Sequence, residues 1–355
     1  MMKKTKVGLI FGGNSSEYEV SVQSAKNIYE AIDKAKYEVY PMALTQSGFM
    51  VDLETSKQLF DNPHLEVENK AAVENVANIV QLGDYQDVDV FFPIVHGNIG
   101  EDGALQGLFR ILNKPFVGSD VLSTAVTMDK DFTKIIAQSA GIKVADWVIV
   151  KRHTQDDWTY DKVSQKLGST VFIKPSNQGS SVGISKAIDE ESFNKGLAEA
   201  FEYDDKVLVE EAINGVEIEV AVLGNENPQA SGVGQITTPE GEFYSYENKY
   251  IDESGATLAI PAPISEELTE EVRAEALKVY DILECSGLAR VDFMLQNSDS
   301  QIVFNELNAL PGFTNISMYP KLFELAGITY PDLIDHLISY AKERFDHKKE
   351  LHHTR

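Results

Sequence analysis

The sequence predicts an α/β protein, α+β overall, on three observations: an amino-terminal strand, glycine turn and helix; continued alternation of strands with amphipathic helices; and a late hairpin with one polar face. Residues 6–11 are a short continuous apolar run, Gly12 and Gly13 open a turn, and residues 19–32 carry apolar side chains at helical spacing. This order opens a parallel α/β unit.

The elements follow in order. Residues 37–44 are the next strand, and residues 51–81 a polar surface excursion with one helix. Residues 88–95 are a third strand, ending in His96 and a loop rich in glycine. Residues 105–112 are helical, 115–118 a short strand, and 121–140 one longer helix containing Met128, Asp129 and Lys130. A second unit runs through a strand at 144–150, a helix around 157–167 and a strand at 170–174. Strands at 207–211 and 216–223 come next, with Glu217 and Glu219 alternating outward along the second. Residues 234–260 form a long polar and aromatic segment of the kind that makes lids. Residues 265–285 are an amphipathic helix and 330–345 a closing helix. The tail HKKELHHTR lacks a core-forming pattern and is expected to fray.

The hairpin lies in residues 288–320. Side chains alternate with period two, so Arg290 and Asp292 share one face, as do Glu306 and Asn308. The cluster Asn297, Ser298, Asp299, Ser300 reads as the turn. An odd loop, or a bulge, brings Asp292 opposite Glu306 and Arg290 opposite Asn308; an even, unbulged loop puts them on opposite faces. Two carboxylates and an amide oxygen are hard ligands that suit magnesium, whereas zinc lacks a nearby His or Cys. A solvated hairpin of alternating charge is the alternative, but it leaves unexplained why Val291, Phe293, Ile302 and Phe304 crowd the other face.

The totals bound the function. Lys plus Arg is 31 and Asp plus Glu is 56, a net charge of −25, which argues against nucleic acid as a partner. A hydrophobic share of 43% is ample core for two or three domains. Cys285, the single cysteine, excludes an intrachain disulfide framework, fits a reducing cytosol, and reads as a small buried apolar residue. The apolar run near the amino terminus is too short for a signal peptide and no run approaches membrane-spanning length, so a cytoplasmic protein without a membrane partner is expected.

Further stretches offer chemistry. Ligands of open parallel sheets gather beyond the carboxyl ends of strands, where Glu17 and His96 both fall. Glu17 suits a cationic group such as a substrate ammonium. In VFIKPSNQGSSVGISK a strand delivers Lys174, and the loop 176–183 supplies small residues whose backbone can approach phosphate oxygens, although an ordinary hairpin connection has the same composition. Lys130 is a second candidate for phosphate. Glu210 and Glu211 end a strand where a carboxylate can accept ribose hydroxyls; surface charge is the competing reading.

Together GGNSSEYEVS, HGNIGEDG, KPSNQGSSVG, YENKY, RVDF and NELNALPGFTNISMYP resemble the D-alanine–D-alanine ligases of the ATP-grasp superfamily, over nearly the whole chain. The resemblance implies a three-domain ATP-grasp fold: an amino-terminal α/β substrate domain at 1–120, a central subdomain at 121–212, and a carboxy-terminal domain at 213–355. It implies that Lys130 and Lys174 hold phosphates, that the 176–183 loop with Ser180 and Ser181 closes on them, and that Glu210, Glu211 and Ile213 line the adenine pocket while Glu217 holds the ribose. Asp292, Glu306 and Asn308 would hold two magnesium, or manganese, ions. Glu17 would bind the first substrate's ammonium and connect through Ser180 to Tyr250. Lys249 would face the transferred phosphate, His96 line the first alanine's pocket, and Ser317 receive the second substrate's carboxylate. Arg290 and the N–H of Gly312 would stabilise the oxyanion. Tyr250 and Met318 look like the dipeptide-forming members, with D-alanine–D-serine and D-alanine–D-lactate ligases, and then another ATP-grasp carboxylate-amine ligase, as alternatives. Partners so implied are two D-alanines, ATP and a second copy in a homodimer.

Overall fold

The structure, a computed structural model, describes residues 3–47, 50–65, 87–237 and 257–351. The amino-terminal unit comprises β1 (Thr5–Gly12), α1 (Tyr18–Ala31), β2 (Tyr37–Leu44), α2 (Leu53–Asp61), β3 (Val90–Pro93) and α3 (Ala104–Ile111). Among the described residues its strands are parallel in the order β2-β1-β3, with Val7 opposite both Val39 and Val90. Residues Val7 to Gly12 of β1 are all buried, as a strand covered on both faces requires.

Two sequence expectations fail beside this sheet. Residues 115–118 form no strand; a single parallel bridge pairs Phe116 with Phe91, because Pro115 lacks an N–H and Gly118 turns the chain at φ +94°. The helix expected at 121–140 is two, α4 (Val121–Met128) and α5 (Lys130–Ser139). Asp129 breaks it: its backbone is extended and its carboxylate accepts from the N–H groups of Asp131 and Phe132, so the chain restarts as a fresh amino terminus.

The middle of the chain holds β4 (Trp147–Lys151), α6 (Tyr160–Leu167), β5 (Val171–Pro175), β6 (Ser185–Ala187), α7 (Glu190–Ala200) and β7 (Lys206–Glu211). They build an antiparallel sheet, β4-β7-β5-β6, backed by α6 and α7 around Phe193 and Leu197. Helix α7 has no counterpart in the sequence reading, though Asp189 and Ser192 form a reciprocal capping pair at its start.

The last part contains β8 (Gly215–Gly224), β9 (Gln229–Thr237), β10 (Thr257–Ala259), α8 (Glu266–Ile282), β11 (Gly287–Gln296), β12 (Ile302–Asn308), α9 (Met318–Leu325) and α10 (Tyr330–Glu350). Its strands form a second antiparallel sheet, β10-β9-β8-β11-β12. Most of the segment read as a lid, 238–256, lies outside the described residues, as does 66–86 of the surface excursion. The expected fraying is corrected at 347–350: α10 runs on to Glu350, with His347 3.4 Å from Glu226 and Lys348 paired with Asp120. Among the described residues no helix is long and apolar enough to cross a membrane.

One core joins the two ends of the chain. It packs Leu9, Val22 and Phe92 against Leu288, Phe313, Tyr319 and Leu337. Phe313 is fully buried, edge-on to Phe92 and Tyr330. Its backbone is held too, accepting from Asn27 and Tyr330 and donating to Ser24 Oγ. Phe313→Ala therefore leaves a void at the junction and is expected to cost about 3–5 kcal/mol; a lowered urea midpoint without a changed slope checks this.

Candidate active site

The hairpin takes the bulged alternative. Arg290 pairs with Asn308 and Asp292 with Glu306, after which the register shifts so that Phe293 faces Phe304 and Asn305 is the extra residue. On the other side of β11, Asp292 lies opposite Glu219 and Met294 opposite Glu217 of β8. Three adjacent strands thus present Glu217, Glu219, Arg290, Asp292, Glu306 and Asn308 on one face. Val220, Val291 and Phe293 fill the other, against α8.

Burial sharpens the electrostatics of this face. Asp292 is 0% exposed and Glu219 2%. Arg290 donates through Nε and Nη2 to the two oxygens of Asp292 at 2.7 and 2.6 Å, and its Nε lies 3.2 Å from Glu219 Oε1. Asn308 Nδ2 donates to Asp292 Oδ2 at 3.0 Å. Burial works against the Arg290 charge, but Asp292 and Glu219 outweigh it and hold the guanidinium far into its charged form. Carboxylate oxygens of Glu217, Glu219 and Asp292 come within 4.8 Å of one another. This oxygen-only, acid-rich donor set fits a hard divalent cation; of the ligands expected from the sequence it contains Asp292, while Glu306 and Asn308 stand beside it on the paired strand. Glu219, read from sequence as pointing outward, is instead packed beneath Arg290.

Between the two antiparallel sheets lies a cavity of about 320 Å³. Lys130, Lys174, Ser181, Glu210, Glu211, Ile213, Glu217 and Glu306 all line it, and Phe172, Met294 and Phe304 supply apolar walls. Lys174 pairs with Glu210 and reaches Asn305 Oδ1 at 3.4 Å. Lys134, 2% exposed and missed in the sequence, holds the other Glu210 oxygen at 2.8 Å. Burial pushes the Glu210 carboxyl up, but the two lysines bring it down to about 2. Glu211 Oε1 accepts from the Asp146 N–H at 2.8 Å. Lys134 stands on the inner face of α5, and its four-residue spacing from Lys130 is the signal that could have found it.

The 176–183 loop crosses from this cavity to the amino-terminal unit. Ser180 and Ser181 both have positive φ, 50° and 61°, and Ser180 Oγ donates to the Glu17 carboxylate at the start of α1. Lys130 Nζ donates to the carbonyl of Gln178 in the same loop. His96, at the end of the third strand, is buried; its Nδ1 donates to the Leu310 carbonyl at 3.1 Å and lies 3.7 Å from Glu101 Oε1. Burial lowers the imidazole's affinity for a proton, yet Glu101 and Glu17 outweigh it and the pKa is raised. Glu101 was not singled out from the sequence, although it sits in the same glycine-rich loop.

Leu310 begins the loop that carries Gly312 and leads through Ser317 to Met318, the first residue of α9. A Cβ at Gly312 would come within 2.8 Å of Ser317 Oγ, so a side chain there would displace the Ser317 hydroxyl. Ser317 Oγ accepts from the Thr314 N–H at 3.0 Å, and Met318 is buried against Gly234. Lys249 and Tyr250 lie outside the described residues. Cys285 is buried, and burial pushes its thiol up to about 12, as befits an inert apolar residue.

Residues 6–119 match the family described as D-ala D-ala ligase N-terminus, and residues 136–339 the one described as D-ala D-ala ligase C-terminus. The chain is 59% identical over 358 residues to the D-alanine--D-alanine ligase of Lactobacillus johnsonii, covering 99% of both. Among solved structures it is similar to the D-alanine-D-alanine ligase from Coxiella burnetii, with a TM-score of 0.78, 34% identity and 98% of each chain covered. It is also similar to the VanG D-Ala:D-Ser ligase from Enterococcus faecalis, with a TM-score of 0.80, 34% identity, and 96% and 100% covered. With both halves matched in order and the relatives aligned end to end, the chain belongs to the D-alanine–D-alanine ligase family and has its ATP-grasp fold.

Proposed function

We propose that the protein joins two molecules of D-alanine into D-alanyl-D-alanine, converting ATP to ADP and phosphate, as a supplier of peptidoglycan precursor. The observation that carries this is the bulged hairpin, whose acidic face borders a lysine-lined cavity between two antiparallel sheets. The family is ATP-dependent and works with a divalent metal. We take the metal to be magnesium or manganese, two ions, held by Asp292, Glu306 and Asn308. Bound there, it supplies positive charge to the triphosphate during transfer.

The residues divide the work by charge. A carboxylate is a poor electrophile, so an oxygen of the first D-alanine attacks the γ-phosphorus, ADP departs and an acyl phosphate forms. Lys130 and Lys174 neutralise phosphate charge, Glu210, Glu211 and Ile213 flank the adenine, and Glu217 takes the ribose. Glu17, tied to Ser180, receives the ammonium of the first substrate beside His96. The amine of the second D-alanine, in its neutral form and with its carboxylate at Ser317, attacks the acyl carbon; phosphate leaves and the nitrogen gives up a proton to solvent. Arg290 and the Gly312 N–H stabilise the oxyanion of that step, a contribution of about 3 kcal/mol per donor. Lys249 and Tyr250, on the segment read as the lid, complete the site and keep water from the acyl phosphate. Domain boundaries near 120 and 212 are our reading; the second is supported by the passage from one sheet to the next, β7 ending at Glu211 and β8 starting at Gly215. A homodimer in the cytoplasm completes the proposal.

A D-alanine–D-serine ligase is the second reading, favoured by the likeness to the VanG enzyme; Met318 and Tyr250 speak for the dipeptide of alanine. Purified protein with ATP, magnesium and D-alanine is expected to yield D-alanyl-D-alanine with one phosphate per bond. Mixed product dominating when D-serine or D-lactate is added at equal concentration would refute the alanine assignment. Glu306→Gln removes one charge from the metal-facing set and is expected to lower turnover about a hundredfold or more. An unchanged circular dichroism spectrum with lost phosphate release is the expected result, and near-normal turnover the contrary one.

A further inference from the structure

Asp129 is a negative charge one residue from Lys130. In a site for a triphosphate such a charge is a liability by Coulomb's law alone, so its place calls for another reason. The structure supplies one. Asp129 Oδ1 accepts from Ser176 Oγ at 2.9 Å, Lys206 Nζ at 2.9 Å, and the backbone N–H groups of Asp131 and Phe132 at 3.1 and 3.2 Å. Ser176 is fully buried and is the first residue of the 176–183 loop. Its N–H donates to the Lys206 carbonyl at 2.9 Å, and its carbonyl accepts from the N–H of Lys130 at 3.0 Å.

The base of the loop is closed by a second clamp. Asp204 accepts from the N–H and side chain of Asn177 at 2.7 and 2.9 Å and from the Lys206 N–H at 3.0 Å. Lys206 Nζ also meets Asp131 Oδ2 at 2.7 Å. The start of the loop is thus bolted to the first turn of α5 and the start of β7, whereas its tip, Ser180, reaches to Glu17. The break between α4 and α5 brings these parts together: an unbroken helix would carry Lys130 forward without freeing Asp129 to turn toward Ser176.

We propose that Asp129 is a positioning residue for nucleotide binding, whose carboxylate fixes Lys130 relative to the base of the 176–183 loop through Ser176 and Lys206. The inference rests on the reading that Lys130 and the loop hold the phosphates. It opposes the electrostatic expectation in sign, which makes it testable. Removing a negative charge beside a polyphosphate should tighten binding if the charge acts through space; it should weaken binding if the carboxylate acts by placing Lys130.

The experiment is titration of the full-length protein with ADP and magnesium by calorimetry, with Asp129→Asn, Lys130→Ala and the double variant. Asp129→Asn is expected to weaken ADP about tenfold, the scale of a lost charge-assisted hydrogen bond. The KM for ATP should rise with it while the KM for D-alanine stays within about twofold, since the substitution acts at the base of the loop and leaves the Ser180–Glu17 bond at its tip in place. In the Lys130→Ala background the same substitution should add little, because the two act as one unit. Tighter or unchanged ADP binding by Asp129→Asn, with Lys130→Ala weakened, overturns the inference alone. ADP binding unmoved by Lys130→Ala overturns the phosphate reading and the inference with it. If Asp129→Asn does not fold, Ser176→Ala, which changes no charge, takes its place: weaker ADP binding is expected, and unchanged binding overturns the proposal.

Discussion

The single extra residue at Asn305 is the constraint on which the acidic face depends. With it, Glu306 and Asn308 stand on the same face as Asp292 and Arg290; without it, the period of two would turn both toward the apolar core around Phe293. A carboxylate driven into that core would lose its hydration with nothing to replace it. Even on the right face the cost is large, and the bidentate pair of Arg290 with Asp292 offsets part of it. Glu219 shares the same guanidinium, so the carboxylates outnumber the fixed cation there. That imbalance suits a site meant to receive divalent cations.

The same sheet face changes character along its length. On β8, Glu217 and Glu219 are followed at the same period by Ala221 and Leu223, which belong to the core shared with the amino-terminal unit. On β11, Leu288 plays that part before Arg290 and Asp292. The amino-terminal unit therefore docks beside the charged cluster, with His96 bonded to Leu310 two residues beyond Asn308 and Glu17 to Ser180. Arg344 of α10 pins the joint, donating to the carbonyls of Phe116 and Gly118 and to Ser286 Oγ. Fold stability and site geometry are consequently one problem: loosening the shared core moves Glu17 and His96 relative to the lysine-lined cavity.

Much of this was legible in the residues. The parallel opening, the antiparallel hairpin and the strand at 37–44 follow from apolar period, and the last matches β2 at both ends. Of the residues that the resemblance assigns to the nucleotide, Lys130, Lys174, Ser181, Glu210, Glu211, Ile213 and Glu217 line one cavity, whereas Ser180 turns away to Glu17. The helix at 121–140 was misread because its apolar spacing continues across Asp129, and spacing does not register a side chain that caps. The end of α10 was misread because His347 and Lys348 find partners, Glu226 and Asp120, that lie far away in the chain.

By itself the sequence determined which residues alternate, where glycine lets the chain turn, and which acids, lysines and amides were available for chemistry. Tertiary structure alone decided between the two hairpin registers, placed Lys134 against Glu210 and Glu219 beneath Arg290, and turned Asp129 to Ser176. The reason is physical: periodicity reports the face a side chain occupies, a local property of the backbone. Partnership between buried charges depends on which distant strand is laid alongside, and that is settled by the packing of the whole chain.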